Sequence, residues 1–345
     1  MRVAIVGGGV AGSYAAMLLA EHGFDVTLFE WRRGYVKPCG EAVPVQLWGR
    51  VGGFARDVAA VKSVVFYYKP GPSVTLSKRV EARLLGYTLD KAWMVESIRE
   101  AAEAAGARLV YRRAEPESIM REYDVVVDAR GPYSDAPEYD SLVAARWYVR
   151  RCSLCEEEAA VFVFGRFPGY AWAFPRPWGW NVGIGFRAAW ARRWRLTLDD
   201  LLRMASRLLG FEPGSARGGA AAKIKLSVPA AVAMGGRLYR IGEAGGFIVP
   251  YSGEGIRPAV ESAEALVESL ARGSDEPLRR LERLYGRLHR FYRAARLLGD
   301  SRLGALAYAM LGDRLVKTGA VDRLGVLDAL RGLAYLAECL LEHRC

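Results

Sequence analysis

The sequence predicts an α/β fold: a Rossmann-type parallel-sheet domain, an antiparallel-sheet domain interleaved with it, and a helical C-terminal region. Three observations predict it. The chain opens with an apolar strand, Arg2 to Val6, that runs directly into Gly7-Gly8-Gly9-Val10-Ala11-Gly12. A block of strands rich in aromatics occupies the middle, and helices rich in Leu and Arg follow Glu276. No internal repeat or low-complexity linker separates these parts, so the domains are expected to interleave: 1–140 with 227–272, then 141–226, then 273–345.

The opening unit is read first. A GxGxxG turn between a strand and a helix suits a dinucleotide: Gly7 permits the tight turn, Gly9 admits a pyrophosphate, and Gly12 lets helix and strand pack closely. The helix that follows carries Val10, Ala11, Tyr14, Met17 and Leu18 on one face, and its N-terminus offers unpaired N–H groups to phosphate. A second strand, Asp25 to Phe29, ends at Glu30, whose carboxylate can accept hydrogen bonds from a ribose 2′-OH and would repel a 2′-phosphate. The nucleotide is therefore FAD or NAD.

The next elements follow in order. Residues 31–53 read as irregular and carry Lys37-Pro-Cys39-Gly-Glu41-Ala42. Short alternating strands are expected around 64–68 and 74–76, and a helix from Lys91 to Ala105 with Met94, Val95, Ile98 and Ala102 on one face. Strands at 108–111 and 124–127 complete the nucleotide sheet, the latter leading into Asp128-Ala129-Arg130-Gly131. The antiparallel domain is predicted from strands at 143–150, 160–164, 170–174, 181–187 and 220–226, with one helix at 198–209. Its aromatic content suits the wall of an apolar cavity. A strand at 238–241, a glycine-rich turn and a helix from about Glu254 to Ala271 return the chain to the first domain.

Composition narrows the classes. An apolar fraction of 52% supports a large core, and no apolar run is long enough to span a bilayer, so a soluble, cytoplasmic protein is expected. The net charge of +11 leaves two readings open: an acidic partner, such as anionic lipid or a phosphorylated substrate, and thermal adaptation. The second is supported by a single Asn, a single Gln and three His, the depletion expected of a hyperthermophile. Nucleic acid is disfavoured because no binding motif accompanies the charge. Cys152-Ser-Leu-Cys155 could supply half of a zinc site, but no second pair completes it, so no metal is assigned; intracellular disulfides among Cys152, Cys155, Cys339 and Cys345 are plausible in a hyperthermophile.

A second glycine-rich segment, Gly242-Glu243 through Gly253, Gly255 and Ile256, discriminates FAD from NAD: an acidic residue can bind ribityl hydroxyls, and a helix start near Gly255 places a positive end beside a reduced isoalloxazine. Together with the GxGxxG turn and Asp128-Ala-Arg-Gly131, it resembles the flavin monooxygenase-like superfamily. Two smaller motifs resemble the geranylgeranyl reductases of archaeal type within it. These are Lys37-Pro-Cys-Gly-Glu41 and Tyr170-Ala-Trp172-Ala-Phe174-Pro175, followed after seven residues by Gly183-Ile-Gly185, matching YxWxFP…GxG. The resemblance covers residues 1 to 270.

That resemblance implies FAD contacts at Gly7, Gly9, Val10, Ala11, Gly12 and Glu30, and at Trp31, Arg32, Cys39, Ala42 and Lys91. It further implies contacts at Ala114, Ala129 and Gly131, and at Gly242, Glu243, Gly253, Gly255 and Ile256. It implies substrate-binding roles for Tyr170, Trp172, Phe174, Pro175, Gly183 and Gly185, with ordinary sheet core as the alternative for the aromatic residues. Cys39 is the candidate catalytic residue, as a thiol that shapes the reaction surface or relays a proton; simple packing is the alternative. Two departures stand out: Glu243 occupies a position where the family usually has Asp, and Lys91 one where Arg is common, replacing a planar fork by a point charge.

The activity so implied is reduction of isolated C=C bonds in an isoprenoid chain of a lipid or prenyl (di)phosphate, with NAD(P)H or a ferredoxin as electron donor. Arg279 to Arg296 could meet a phosphate or an anionic membrane surface, giving a membrane-peripheral location, or could be a solvated face. A final helix with Leu324, Leu327, Leu330, Leu333 and Leu340 is expected as an inter-helix seam. The rival readings are an FAD-dependent aromatic hydroxylase and a prenyl-binding carrier without chemistry.

Overall fold

A computed structural model describes residues 1–34, 37–69, 75–233 and 236–298 of the 345-residue chain. In chain order it contains β1 (Arg2–Val6), α1 (Val10–Glu21), β2 (Asp25–Glu30), β3 (Ala42–Pro44), α2 (Val45–Val51), β4 (Ala59–Lys69), β5 (Leu76–Thr88), α3 (Lys91–Ala104), β6 (Arg108–Tyr111), α4 (Pro116–Ile119) and β7 (Val125–Asp128). There follow β8 (Glu138–Val149), β9 (Ala159–Gly165), β10 (Gly169–Arg176), β11 (Gly179–Arg187), α5 (Ala188–Arg193), α6 (Leu198–Leu209), β12 (Arg217–Ser227), β13 (Val232–Ala233), β14 (Leu238–Arg240), α7 (Ile256–Arg272) and α8 (Glu276–Ala295).

The chain forms two compact units. The first comprises Met1–Lys37, Lys91–Ser141 and Lys223–Tyr292; the second comprises Pro38–Asp90, Leu142–Ala222 and the described residues from Arg293 onward. This partition differs from the boundaries expected from sequence, which kept 38–90 with the nucleotide sheet. The reason is strand pairing: β4 runs parallel to β9 with Phe66 opposite Phe162, so the β4–β5 hairpin extends the second sheet. The helical stretch 276–292 joins the first unit, and the expected seam from Leu324 to Leu340 lies outside the described residues, as do Cys339 and Cys345.

The first unit is built on a six-stranded sheet in the order β13-β14-β7-β1-β2-β6. All neighbours pair in parallel except β13 with β14. The adjoining strands β1 and β7 read as nearly unbroken apolar runs because both faces of the sheet are covered there. Helix α1 was expected to be amphipathic, yet Ala11 through Met17, Leu19 and Ala20 are all buried, because α3 and α7 both pack on it. Small residues make that closeness sterically feasible.

The second unit is built on an eight-stranded sheet, β12-β8-β11-β10-β9-β4-β5-β3. Alternation along β10 sends Ala171 and Ala173 to one face, where Val161, Val163, Val182 and Ile184 pack against Leu201, Ala205 and Leu209 of α6. That helix has firm ends: Thr197 and Asp200 form a reciprocal capping box, and Gly210 closes it at φ 75°. Phe66, Phe162, Phe164, Trp172 and Phe174 form the opposite face. Cys152 and Cys155, beside α6, are joined by a disulfide, which replaces the half-zinc-site alternative.

Candidate functional site

In the first unit the glycine turn is fixed by sterics. Gly7 adopts φ 107°, and a Cβ there would stand 2.5 Å from the Ala129 carbonyl oxygen; a Cβ on Gly12 would overlap the Gly7 carbonyl. Gly9 is different. It is exposed, a Cβ there would meet nothing within 4 Å, and it precedes α1 with no side-chain cap. An open glycine against bare helix N–H groups fits a pyrophosphate.

Glu30 lies where the motif requires it, at the end of β2, and is buried. Its Oε2 accepts from the Gly8 N–H at 2.8 Å and its Oε1 from the Arg32 N–H at 3.0 Å, leaving the remaining lone pairs for a ribose. The sequence reading missed Arg99. This residue is 1% exposed, its Nε and Nη2 both donate to the Gly8 carbonyl, and its guanidinium lies 3.7 Å from Glu30. The signal available was an Arg at i+4 from Val95 within the buried stripe of α3. Trp31 and Tyr133 are exposed aromatics in edge contact at 6.3 Å, with the Arg32 guanidinium 3.8 Å over the Trp31 ring.

The other first-unit candidates divide into backbone and side-chain roles. Ala129 and Gly131 follow β7, where the Arg130 fork grips Asp128 and also bonds Glu115 and Asp135. Gly242 has φ 57° and would bring a Cβ to 2.9 Å from Ala11, so this glycine permits close approach of its turn to α1. Gly253 adopts φ 69°, and Gly255 caps α7 without a side-chain bond, ahead of the buried Ile256. Ala114 sits in the apolar cluster of the sheet.

Glu243, the carboxylate expected to bind ribityl hydroxyls, meets donors of its own unit. In the structure its Oε2 pairs with Lys37 Nζ at 2.5 Å and its Oε1 accepts from the Lys225 N–H at 2.6 Å. Lys91 likewise turns to the protein, its Nζ donating to the Lys37 carbonyl at 2.5 Å. Lys225 also reaches Ser134, and burial lowers its pKa.

In the second unit Tyr170, Trp172 and Phe174 form a ladder along one face of β10, with centroids 6.0 and 6.2 Å apart. Phe162 of β9 sits 5.4 Å from Tyr170 and 5.2 Å from Phe174. The glycines explain the signature. Gly183 is opposite Trp172 and Gly185 opposite Tyr170 in the β10–β11 register, and a Cβ on Gly183 would enter the Trp172 ring. The indole thus lies on bare backbone. Pro175 is buried, its carbonyl accepting from Thr88 Oγ1.

Cys39 and Ala42 also belong to this unit. The half-buried Cys39 Sγ accepts from the Glu41 N–H at 3.3 Å, and a Cβ on Gly40 would meet the Phe174 ring at 2.7 Å. Glu41 is buried with φ 63°; its Oε2 accepts from Tyr148 OH and from Asn181 Nδ2, each at 3.0 Å, with Arg176 Nη1 at 3.5 Å. Burial and the adjacent Glu41 charge raise the pKa of Tyr148, keeping it a donor. Sequence reasoning missed Glu41, Tyr148, Arg176 and Asn181 as a group, because no local pattern joins positions so far apart.

Residues 5–42 match the model for an NAD(P)-binding Rossmann-like domain. Over 320 residues the chain is 25% identical to geranylgeranyl diphosphate reductase of Arabidopsis thaliana, covering 79% of this chain and 66% of that protein. Over 218 residues it is 26% identical to digeranylgeranylglycerophospholipid reductase of Methanosarcina mazei, covering 53% and 54%. The chain is similar in sequence to the geranylgeranyl reductases. A solved geranylgeranyl bacteriochlorophyll reductase-like protein of Thermoplasma acidophilum shares the fold, with a TM-score of 0.70 over 96% of this chain and 95% of that one at 20% identity. No helix among the described residues is long and apolar enough to cross a membrane.

Proposed function

We propose that the chain is an FAD-dependent reductase that saturates isolated C=C bonds in an isoprenoid chain carried by a lipid or prenyl compound. The observation that carries this reading is the aromatic ladder of β10, seated on Gly183 and bordered by the Cys39 turn, in a chain whose first unit holds a pyrophosphate-binding glycine turn. The electron donor is NAD(P)H or a ferredoxin, and contact with a membrane surface is peripheral.

When bound, FAD supplies the hydride; with one proton it converts C=C to CH–CH. An unactivated alkene has no carbonyl to polarise, so the protein acts by holding the chain in place and excluding water. Gly7, Gly9 and Gly12 with the start of α1 take the pyrophosphate, Glu30 the ribose, and Trp31 and Arg32 the neighbouring nucleotide surface. Gly253, Gly255 and Ile256 would hold the flavin end of the cofactor at the start of α7, whose partial positive charge suits a negatively charged ligand. Glu243, paired with Lys37, would hold ribityl oxygens. Tyr170, Trp172 and Phe174 offer flat apolar surface to a prenyl chain, and Cys39 lines the same aromatic end.

The test is anaerobic incubation of the dithionite-reduced, FAD-loaded protein with a prenyl diphosphate, a digeranylgeranyl glycerolipid and a prenylquinone. A gain of two hydrogens per reduced bond in at least one class is the expected result. Unchanged masses in all three would refute the activity.

A further inference from the structure

We propose that Asn181 is a positioning residue that clamps the Cys39 turn onto the aromatic ladder. Its amide makes three hydrogen bonds, two of them buried and the one to the Cys39 carbonyl part-buried. Oδ1 accepts from Trp172 Nε1 at 3.0 Å; Nδ2 donates to the Cys39 carbonyl at 3.0 Å and to Glu41 Oε2 at 3.0 Å. The orientation is unambiguous: an indole N–H only donates, so the amide oxygen must face Trp172 and the NH2 must face the two acceptors. Both amide protons and the amide oxygen are therefore engaged, at a residue with no exposure.

One amide ties together segments far apart in sequence. The Cys39 turn needs such a tie. Glu41 holds a left-handed backbone at φ 63°, a conformation that costs a non-glycine residue roughly 1 kcal/mol and persists only where surroundings hold it. Its side chain is held by Tyr148 and Asn181 beside Arg176, and its N–H is the donor that fixes the Cys39 sulfur. The Arg176 side chain is 2% exposed, and its Nε and Nη1 have no hydrogen-bond partner among the described residues, so the nearby Glu41 carboxylate is its main compensation. Glu41 is thus locked from two sides, and Asn181 is the group that links this lock to Trp172.

Composition supports the assignment independently. Asn181 is the single Asn among 345 residues, in a chain that also has a single Gln. Amides are thermolabile, and the one Asn of a sequence depleted of them stands where two donors and one acceptor are all committed. A leucine of similar volume would fill the space but would leave the Trp172 N–H, the Cys39 carbonyl and the Glu41 carboxylate each short of a partner.

The test is Asn181→Asp. At about pH 8 the new carboxylate faces Glu41 and the Cys39 carbonyl, so the turn opens; as pH falls, a neutral acid restores one donor and one acceptor, and the clamp re-forms. Iodoacetamide labelling, read on the Cys39 peptide, is expected to run about tenfold faster than wild type at about pH 8 and to approach the wild-type rate at about pH 5.5. A side chain that merely fills space would show no acid rescue. The FAD-loaded variant is expected to lose about tenfold in kcat with KM within about twofold, recovering towards acid. Tyr148→Phe, which removes one hydroxyl from Glu41, is expected to speed labelling about threefold and serves if the first variant does not fold.

Labelling ratios within twofold of wild type at every pH, in whichever variant folds, would overturn the clamp. The kcat prediction rests on the reductase reading; the labelling does not. Wild-type protein that reduces no prenyl compound would therefore defeat that reading while labelling still decides the clamp.

Discussion

Gly183→Ala tests the seat of Trp172. The added methyl would enter the Trp172 ring and stand 2.5 Å from the Ala145 carbonyl oxygen. The carbonyl belongs to β8, paired with β11 in the sheet interior, so the indole must yield. Trp172 is buried against Phe174 and Tyr170, which places the change among the overpacking substitutions that cost about 2 kcal/mol. A displaced indole also loses its 3.0 Å bond to Asn181, worth about 1 kcal/mol net. The sum of about 3 kcal/mol corresponds to a Tm lower by roughly 5–10 °C for a protein of this size. Thermal unfolding with FAD present, with tryptophan emission recorded in parallel, measures it. A Tm within about 1 °C of wild type would show that Gly183 is not the seat of the indole.

Two further outcomes follow from particular residues. Gly9→Ala should fold with a Tm near wild type, since open space receives the methyl, yet bind FAD at least about tenfold more weakly in an equilibrium titration because the methyl occupies the pyrophosphate approach; unchanged affinity would remove Gly9 from the site. His289 is buried between Tyr139 OH and the Ile248 carbonyl, and burial lowers its pKa to about 4 from 6.5. The unfolded chain therefore binds the extra proton between these values. Stability from the neutral ring is fully present above about pH 6.5 and is lost as pH falls through 4, on the order of 3 kcal/mol in all. Denaturant unfolding across this range should fall more steeply for wild type than for His289→Gln; parallel curves would reject the assignment.

The local motifs were legible in the sequence because each is dictated by short-range sterics. Gly7 and Gly12 could be read from spacing and Gly183 from the family signature it resembles, and a Cβ at any of them collides with backbone or a ring. The α6 boundaries were equally legible: Thr197 and Asp200 form the cap and Gly210 ends the helix. What was not legible depends on pairing across long separations. The 38–90 segment reads as an insertion until β4 is seen beside β9, and its first helix, α2, had no strong periodicity to announce it. Arg99 and Asn181 belong to the same class. Each is an isolated polar residue in an apolar pattern, and its meaning appears only when Gly8 and Glu30, or Trp172 and Cys39, are brought to it. Glu243 is of that class too: that its carboxylate meets Lys37 and the Lys225 N–H shows only once the fold brings them together.

The most direct measurement is anaerobic stopped-flow absorbance of the FAD-loaded, fully reduced protein mixed with a geranylgeranyl-chain lipid. The oxidised flavin spectrum is expected to return without oxygen, at a rate that saturates with lipid and in step with loss of double bonds. Flavin that stays reduced until air is admitted, with every double bond intact, would contradict it.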